Sequence, residues 1–167
     1  MHGPDTASSG MSLPPDGALR ETLATVASGK RHEAVKAVKA MIVEDQDRLK
    51  RWQLRNLGEL TGQDLATTLT QRTDLTIRQL AERAWSKAGA PADWASQVAV
   101  LAAGGYGRGE LSPKSDIDLV VYHRDKVCPG WLGDAYQEFG TLMWDVGYKV
   151  GAAIRGVPPE SVPRAHY

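Results

Sequence analysis

The 167-residue sequence predicts an α+β fold, with a helical segment over residues 18–90 followed by a core built on a small mixed sheet over 91–156. Three observations predict it. Apolar residues recur at helical spacing between Ala18 and Gly89. After Pro91 the pattern changes to a short continuous apolar run, Val98–Ala103. A glycine-rich turn then leads into a second apolar run, Ile117–Tyr122.

In chain order, residues 1–17 hold Gly, Pro and Ser with neither a basic start nor an apolar stretch. They are expected to form a disordered tail rather than a signal peptide or anchor. Val35, Val38, Ile42, Leu49 and Trp52 share one helical stripe, and Ile77, Leu80, Ala81, Ala84, Trp85 and Ala88 another, so two or three helices are expected. Gly58, Thr61 and Gly62 punctuate them, and Gly89 with Pro91 stops the last. The run Val98–Ala103 reads as a strand buried on both faces. Ile117–Tyr122 is a second strand, and Pro129-Gly130 ends the connection beyond it. A helix follows whose inner face is Leu132, Tyr136, Phe139, Met143 and Val146, with Gly147 as its left-handed cap. Tyr148–Arg155 supplies a third strand. Residues 157–167, with Pro158, Pro159 and Pro163, read as an irregular tail.

Composition narrows the function. Lys plus Arg number 20 against 20 Asp plus Glu, so no global field draws the chain to nucleic acid or an anionic bilayer, and a bound phosphate needs a local site. The stretch Lys30–Arg55 carries eight basic and four acidic residues and could form a nucleic-acid face, but with weak aromatic interleaving and weak basic clustering it reads as a solvated helix surface. The longest apolar run, Val98–Ala103, is far short of the ~20 residues that span a membrane. One cysteine, Cys128, excludes an intrachain disulfide and fits a reducing, cytoplasmic setting. The four histidines, His2, His32, His123 and His166, are scattered, and His123 is left outside any site.

The chemistry concentrates in Leu101–Tyr122, LAAGGYGRGELSPKSDIDLVVY. Gly104, Gly105, Gly107 and Gly109 directly after a strand let backbone N–H groups turn toward an anion, for which triphosphate is the obvious choice. Gly105 is expected to need positive φ, so a valine there should be resisted. A Walker loop would place Lys and then Ser or Thr after Gly109, where Glu110 and Leu111 stand. A dinucleotide-binding turn needs a helix of about a dozen residues before the next strand, and only Glu110–Ser115, including Pro113, are available. What remains is a glycine turn followed by Asp116-Ile117-Asp118 at the head of an apolar strand. Residues two apart on a strand share a face, so the two carboxylates point together while Ile117, Leu119 and Val121 face the core. Such a pair persists most easily where divalent cations neutralise it, and hard oxygen donors beside substrate phosphates suit Mg²⁺.

Gly-Gly, ten residues and Asp-x-Asp resembles the signature of the DNA polymerase β-like nucleotidyltransferases. Within that superfamily, Gly104–Leu111 with Ser115–Leu119 is similar to the protein-PII uridylyltransferase/uridylyl-removing family. Arg72-Thr73 with the helix to Trp85, and Met143–Gly151, match its flanking stretches, so the resemblance covers Arg72–Arg155. Where that family continues Val-Gly-His-Ser-x-Arg-Thr, this chain has Ala152, Ala153, Ile154, Arg155 and Gly156 after Val150-Gly151, and only Arg155 keeps the pattern. On this resemblance the family's later hydrolase and ligand-sensing domains are expected to be missing from the 167 residues. The nucleotidyltransferase core is therefore expected to be incomplete at the C-terminus, a truncated or frame-shifted form of a longer enzyme.

The resemblance implies transfer of UMP from UTP to a tyrosine hydroxyl of the PII signal protein. Asp116 and Asp118 would be the catalytic and metal-binding carboxylates, with Mg²⁺ as cofactor. Gly104, Gly105, Arg108 and Ser115 would bind nucleotide, and no nucleic acid or membrane would be a partner. Gly105 stands where many members have serine, and Ser115 is the candidate substitute. Arg108 either pairs with phosphate or stays a surface arginine. Glu110 and Lys114 are rim residues. The third carboxylate usual in the superfamily has no source in Tyr148–Arg155, and Asp145 is the nearest acid. A non-catalytic nucleotide-binding remnant, or a small nucleotidyltransferase with another acceptor, remains as an alternative.

Overall fold

The computed structural model describes residues 19, 22, 24, 26, 29–55, 61–124 and 128–156; the tails over 1–17 and 157–167, Gly58 and the Trp52 side chain lie outside the described residues. In order come helix α1 (Arg31–Arg55), helix α2 (Gly62–Lys87), a 3₁₀ turn (Trp94–Ser96) and strand β1 (Val98–Ala102). The single helical turn α3 (Gly104–Gly107), strand β2 (Ile117–His123), helix α4 (Gly130–Val146) and strand β3 (Val150–Gly156) follow. No helix among the described residues is long and apolar enough to cross a membrane.

Local sequence accounts for the helix boundaries. Thr61 caps α2: its hydroxyl accepts from the Asp64 N–H, and the Asp64 carboxylate accepts from the Thr61 N–H in return, a reciprocal box that satisfies two end donors. The punctuation read at Thr61-Gly62 is therefore a helix start. Gly147 ends α4 at φ 97°, as its position after the apolar stripe predicts.

The sheet has three strands in the order β1-β2-β3. β1 runs antiparallel to β2, pairing Val98 with His123 and Ala102 with Leu119. β3 runs parallel to β2, pairing Ile117 with Val150 and Asp118 with Gly151, so the sheet is mixed and α4 is the β2-to-β3 crossover. α1, α2 and α4 pack together and cover one sheet face. Trp85 on α2 meets Phe139 on α4 edge to face at 5.5 Å, in a core that also buries Leu80, Leu132, Leu142, Met143, Ile117, Leu119 and Val121. Each fully buried aliphatic or aromatic side chain here stabilises the fold by about 1.5–3 kcal/mol.

The other sheet face is open, which corrects the reading of β1. Val98 is buried, but Leu101 is 49% exposed and Ala99 and Ala102 are also exposed. β1 is an edge strand with helices on one side only, and an unbroken run of small and branched apolar residues carries no mark of which neighbours it lacks.

Charged groups clamp the three helices. Glu138 on α4 accepts from Arg31 Nε of α1 at 3.3 Å and lies 3.0 Å from Lys87 Nζ of α2. Burial by itself would raise the Glu138 carboxyl, but the Lys87 ammonium and Arg31 guanidinium outweigh it and hold it below the usual carboxylate range. A depressed folded-state pKa contributes stability that is complete above the unfolded value, about 4.3, and is lost as pH falls through the folded one. Glu138→Gln is expected to cost about 1 kcal/mol at neutral pH. Urea midpoints measured against pH should also show a shallower loss of stability below about pH 4 than in the wild type; an unchanged acid limb would remove Glu138 from that role.

Candidate active site

β1 hands the chain to the glycine turn through Ala103, whose N–H donates to the Asp118 carbonyl at 2.9 Å. The turn is thereby tied to β2 at the residue that bears the carboxylate. Asp116 and Asp118 are exposed while Ile117 between them is 2% exposed, as the two-residue period of a strand requires.

Two glycines form a slot around Asp118. Gly104 has φ 58°, and a Cβ built on it would stand 2.6 Å from Asp118 Oδ2. A Cβ at Gly151, the register partner of Asp118 in β3, would stand 2.9 Å from Oδ1. A Cβ in either gap would force the Asp118 carboxylate to shift, so in this arrangement one carboxylate oxygen lies beside each bare backbone. The sequence reading assigned no function to Gly151. Its role follows from the parallel register of strands more than thirty residues apart, which local pattern does not encode.

The other candidates are placed less simply. Gly104, Gly105 and Tyr106 open α3, and the N–H groups of a first helical turn have no acceptor within the helix. Gly105 does not take positive φ, and a Cβ there would meet nothing nearer than Glu110 O at 3.8 Å. The expected strain at Gly105 belongs to Gly104 instead, because Gly104 is where the chain reverses from strand into helical turn. Arg108 is paired with Glu110 at 2.8 Å and is 65% exposed, so reaching a phosphate requires it to leave that partner. The Ser115 hydroxyl accepts from the Ser112 N–H at 3.1 Å and shares a hydrogen bond with the Ser112 hydroxyl at 2.7 Å, closing the turn that delivers Asp116. Asp145 is held by Arg31 at 2.7 Å. Among the described residues no group of three His, Cys, Asp or Glu side chains comes together as a metal site, so the carboxylates are a pair.

Tyr106, in the middle of the glycine turn, is a further contributor that sequence reasoning did not single out. It is 5% exposed, and its hydroxyl donates to Asp74 Oδ1 on α2. Burial, reinforced by Asp74, pushes the phenol pKa up, so it stays a protonated donor. An aromatic ring amid four glycines is the one local sign of such an anchor. Tyr106→Phe is expected to lower the free energy of unfolding by about 1–2 kcal/mol, measured by urea denaturation, whereas an unchanged midpoint would make the contact incidental.

A family model described as glutamate-ammonia ligase adenylyltransferase matches residues 16–141, a span that includes the whole glycine turn and both aspartates. The chain belongs to this adenylyltransferase family. Among curated relatives, proteins named bifunctional uridylyltransferase/uridylyl-removing enzyme are similar to it. The one from Pseudomonas putida (strain W619) is 40% identical over 112 residues, covering 62% of this chain and 12% of the relative. The one from Pseudomonas fluorescens (strain SBW25) is 41% identical over 97 residues, 58% of this chain and 10% of the relative. The Vibrio vulnificus (strain YJ016) protein is 50% identical over 60 residues, 36% of this chain and 7% of the relative. This member of the adenylyltransferase family thus spans about a tenth of the length of those relatives. Its α+β architecture is that of a nucleotidyltransferase, and the resemblance to uridylyltransferases read from the motif holds.

Proposed function

We propose that the chain carries a nucleotidyl-transfer site that takes UMP from UTP to a tyrosine hydroxyl of a PII signal protein, with Mg²⁺ as cofactor. The observation that carries the reading is the Asp118 carboxylate held between Gly104 and Gly151 at the mouth of the glycine turn, with Asp116 exposed two residues before it. Two hard carboxylates with open sides fit Mg²⁺, which usually takes one or two protein carboxylates and completes its shell with water and substrate phosphates. When bound, the ion supplies charge neutralisation and a lowered pKa for the attacking hydroxyl.

The reaction is in-line attack of a hydroxyl on the α-phosphorus, with pyrophosphate leaving. In it, Asp116 and Asp118 hold the cation. The opening N–H groups of α3 are available to the β- and γ-phosphates, and Arg108, released from Glu110, offsets charge on the leaving group. Tyr106 anchors the turn so that these donors keep their positions. The names of the curated relatives support uridylyl transfer, and the family description supports a second donor, ATP. Titration calorimetry with UTP and ATP, each with and without Mg²⁺, followed by label transfer to PII protein, separates them. Mg²⁺-dependent preference for UTP is the expected result. Preference for ATP would move the donor to the adenylyl reading, and metal-independent or absent binding of both would overturn the site.

A further inference from the structure

A cavity of about 350 Å³ lies between the α1–α2 pair and the loop that precedes Asp116. That volume is within the range of small-molecule sites. It opens on the opposite side of β2 from the carboxylate slot: Ile117 lines it, whereas Asp118, the next residue, lies against Gly104 and Gly151. Its inner wall carries Arg72 in a bidentate pair with Asp45, Nε to Oδ2 at 2.7 Å and Nη2 to Oδ1 at 2.5 Å. These two side chains are only 11% and 16% exposed and neutralise each other. Lys114 and Lys149 stand at the cavity without an ion-pair partner among the described residues, so its remaining charge is positive. Apolar Leu111 and Ile117 give it a floor.

We infer that this cavity is a second ligand site, for a compact organic anion whose carboxylate or phosphate sits between Lys114 and Lys149 and whose body rests on the apolar floor. An anion is favoured because two exposed lysines without an ion-pair partner among the described residues line a recess in which the buried Arg72–Asp45 pair cancels its own charge. The site is connected to the carboxylates by backbone. The Lys149 carbonyl accepts from the Ile117 N–H at 2.8 Å, and the Ser112–Ser115 turn that lines the cavity runs directly into Asp116. Occupancy therefore reaches the pair from both sides of Ile117. On the helical side, Arg72, Thr73 and Thr76 of the wall flank Asp74, which holds Tyr106 of the glycine turn.

The test is titration of the isotopically labelled chain with succinate, with glycerol phosphate and with uncharged dimethyl succinate, followed by amide chemical shifts. Saturable shifts at Lys114, Ser115, Ile117 and Lys149 with the anions but not with the ester are expected. Whichever anion binds more tightly identifies the headgroup. Lys114→Glu with Lys149→Glu, both surface changes, should weaken that binding at least about tenfold while leaving the circular dichroism unchanged. The inference is overturned if the shifts do not saturate, if the ester matches the anions, or if binding survives the double substitution. It is also overturned if the shifts centre on Gly104–Arg108, which would place the anion at the glycine turn. The inference does not depend on the nucleotidyl-transfer reading: Asp118→Asn should leave succinate or glycerol phosphate binding intact, so the two can fail separately.

Discussion

Asp118→Asn is expected to lower Mg²⁺-dependent affinity for nucleoside triphosphate by about a hundredfold, close to 2.7 kcal/mol, with little change in folding stability. The amide keeps the shape of the carboxylate but loses its charge and puts an NH₂ where an oxygen lies against backbone. Exposure of Asp118 on the open face means that no buried network collapses with it. Asp116→Asn should act in the same direction, since two carboxylates without a third acid nearby leave a cation little alternative among the described residues. Calorimetry of the wild type and both variants, with metal present and absent, decides it. Equal metal-dependent affinity in all three would sink the two-carboxylate site.

Gly104→Val should do comparable damage by a different route. At φ 58° an L-residue costs about 1–2 kcal/mol in backbone strain, more for a β-branched one, and its Cβ would stand 2.6 Å from Asp118 Oδ2. Relieving that overlap requires the exposed Asp118 carboxylate to rotate out of its place between Gly104 and Gly151. The expected result is a lower urea midpoint together with loss of metal-dependent nucleotide binding. Gly105→Ala is the control. It sits in a helical turn without positive φ, with its nearest neighbours at 3.8 and 3.9 Å, and should change stability by less than about 1 kcal/mol. If Gly104→Val bound nucleotide as tightly as Gly105→Ala, the slot would have no part in holding Asp118.

The contrast between those two glycines shows where local reading stops. Both follow a strand, both precede the same tyrosine, and their spacing to the aspartates differs by one residue. Which of them reverses the chain depends on where β1 ends against β2, and that is set by the pairing of Ala102 with Leu119 and the bond from Ala103 to Asp118. The open face of β1 escapes sequence patterning for a related reason. Strand patterning records which residues tolerate a core, and Leu101 tolerates one while standing 49% exposed on an open face.

By itself the sequence determined what short-range physics controls. Helical periodicity and the Thr61 and Gly147 boundaries mark α2 and α4, and the two-residue alternation in Asp116-Ile117-Asp118 puts acids outside and Ile117 inside. The glycine turn ahead of them departs from both the Walker and the dinucleotide-binding patterns. Contacts between distant segments were decided only by the tertiary structure. Gly151 arrives beside Asp118 through the parallel β2–β3 register, Tyr106 finds Asp74 32 residues earlier in the chain, Glu138 gathers Arg31 and Lys87, and Arg72 closes on Asp45 to wall a cavity behind Ile117. The physical reason is that a carboxylate, a glycine or a tyrosine obtains its partner from packing and strand register. Those depend on the whole chain at once, while propensity and periodicity act over a few residues.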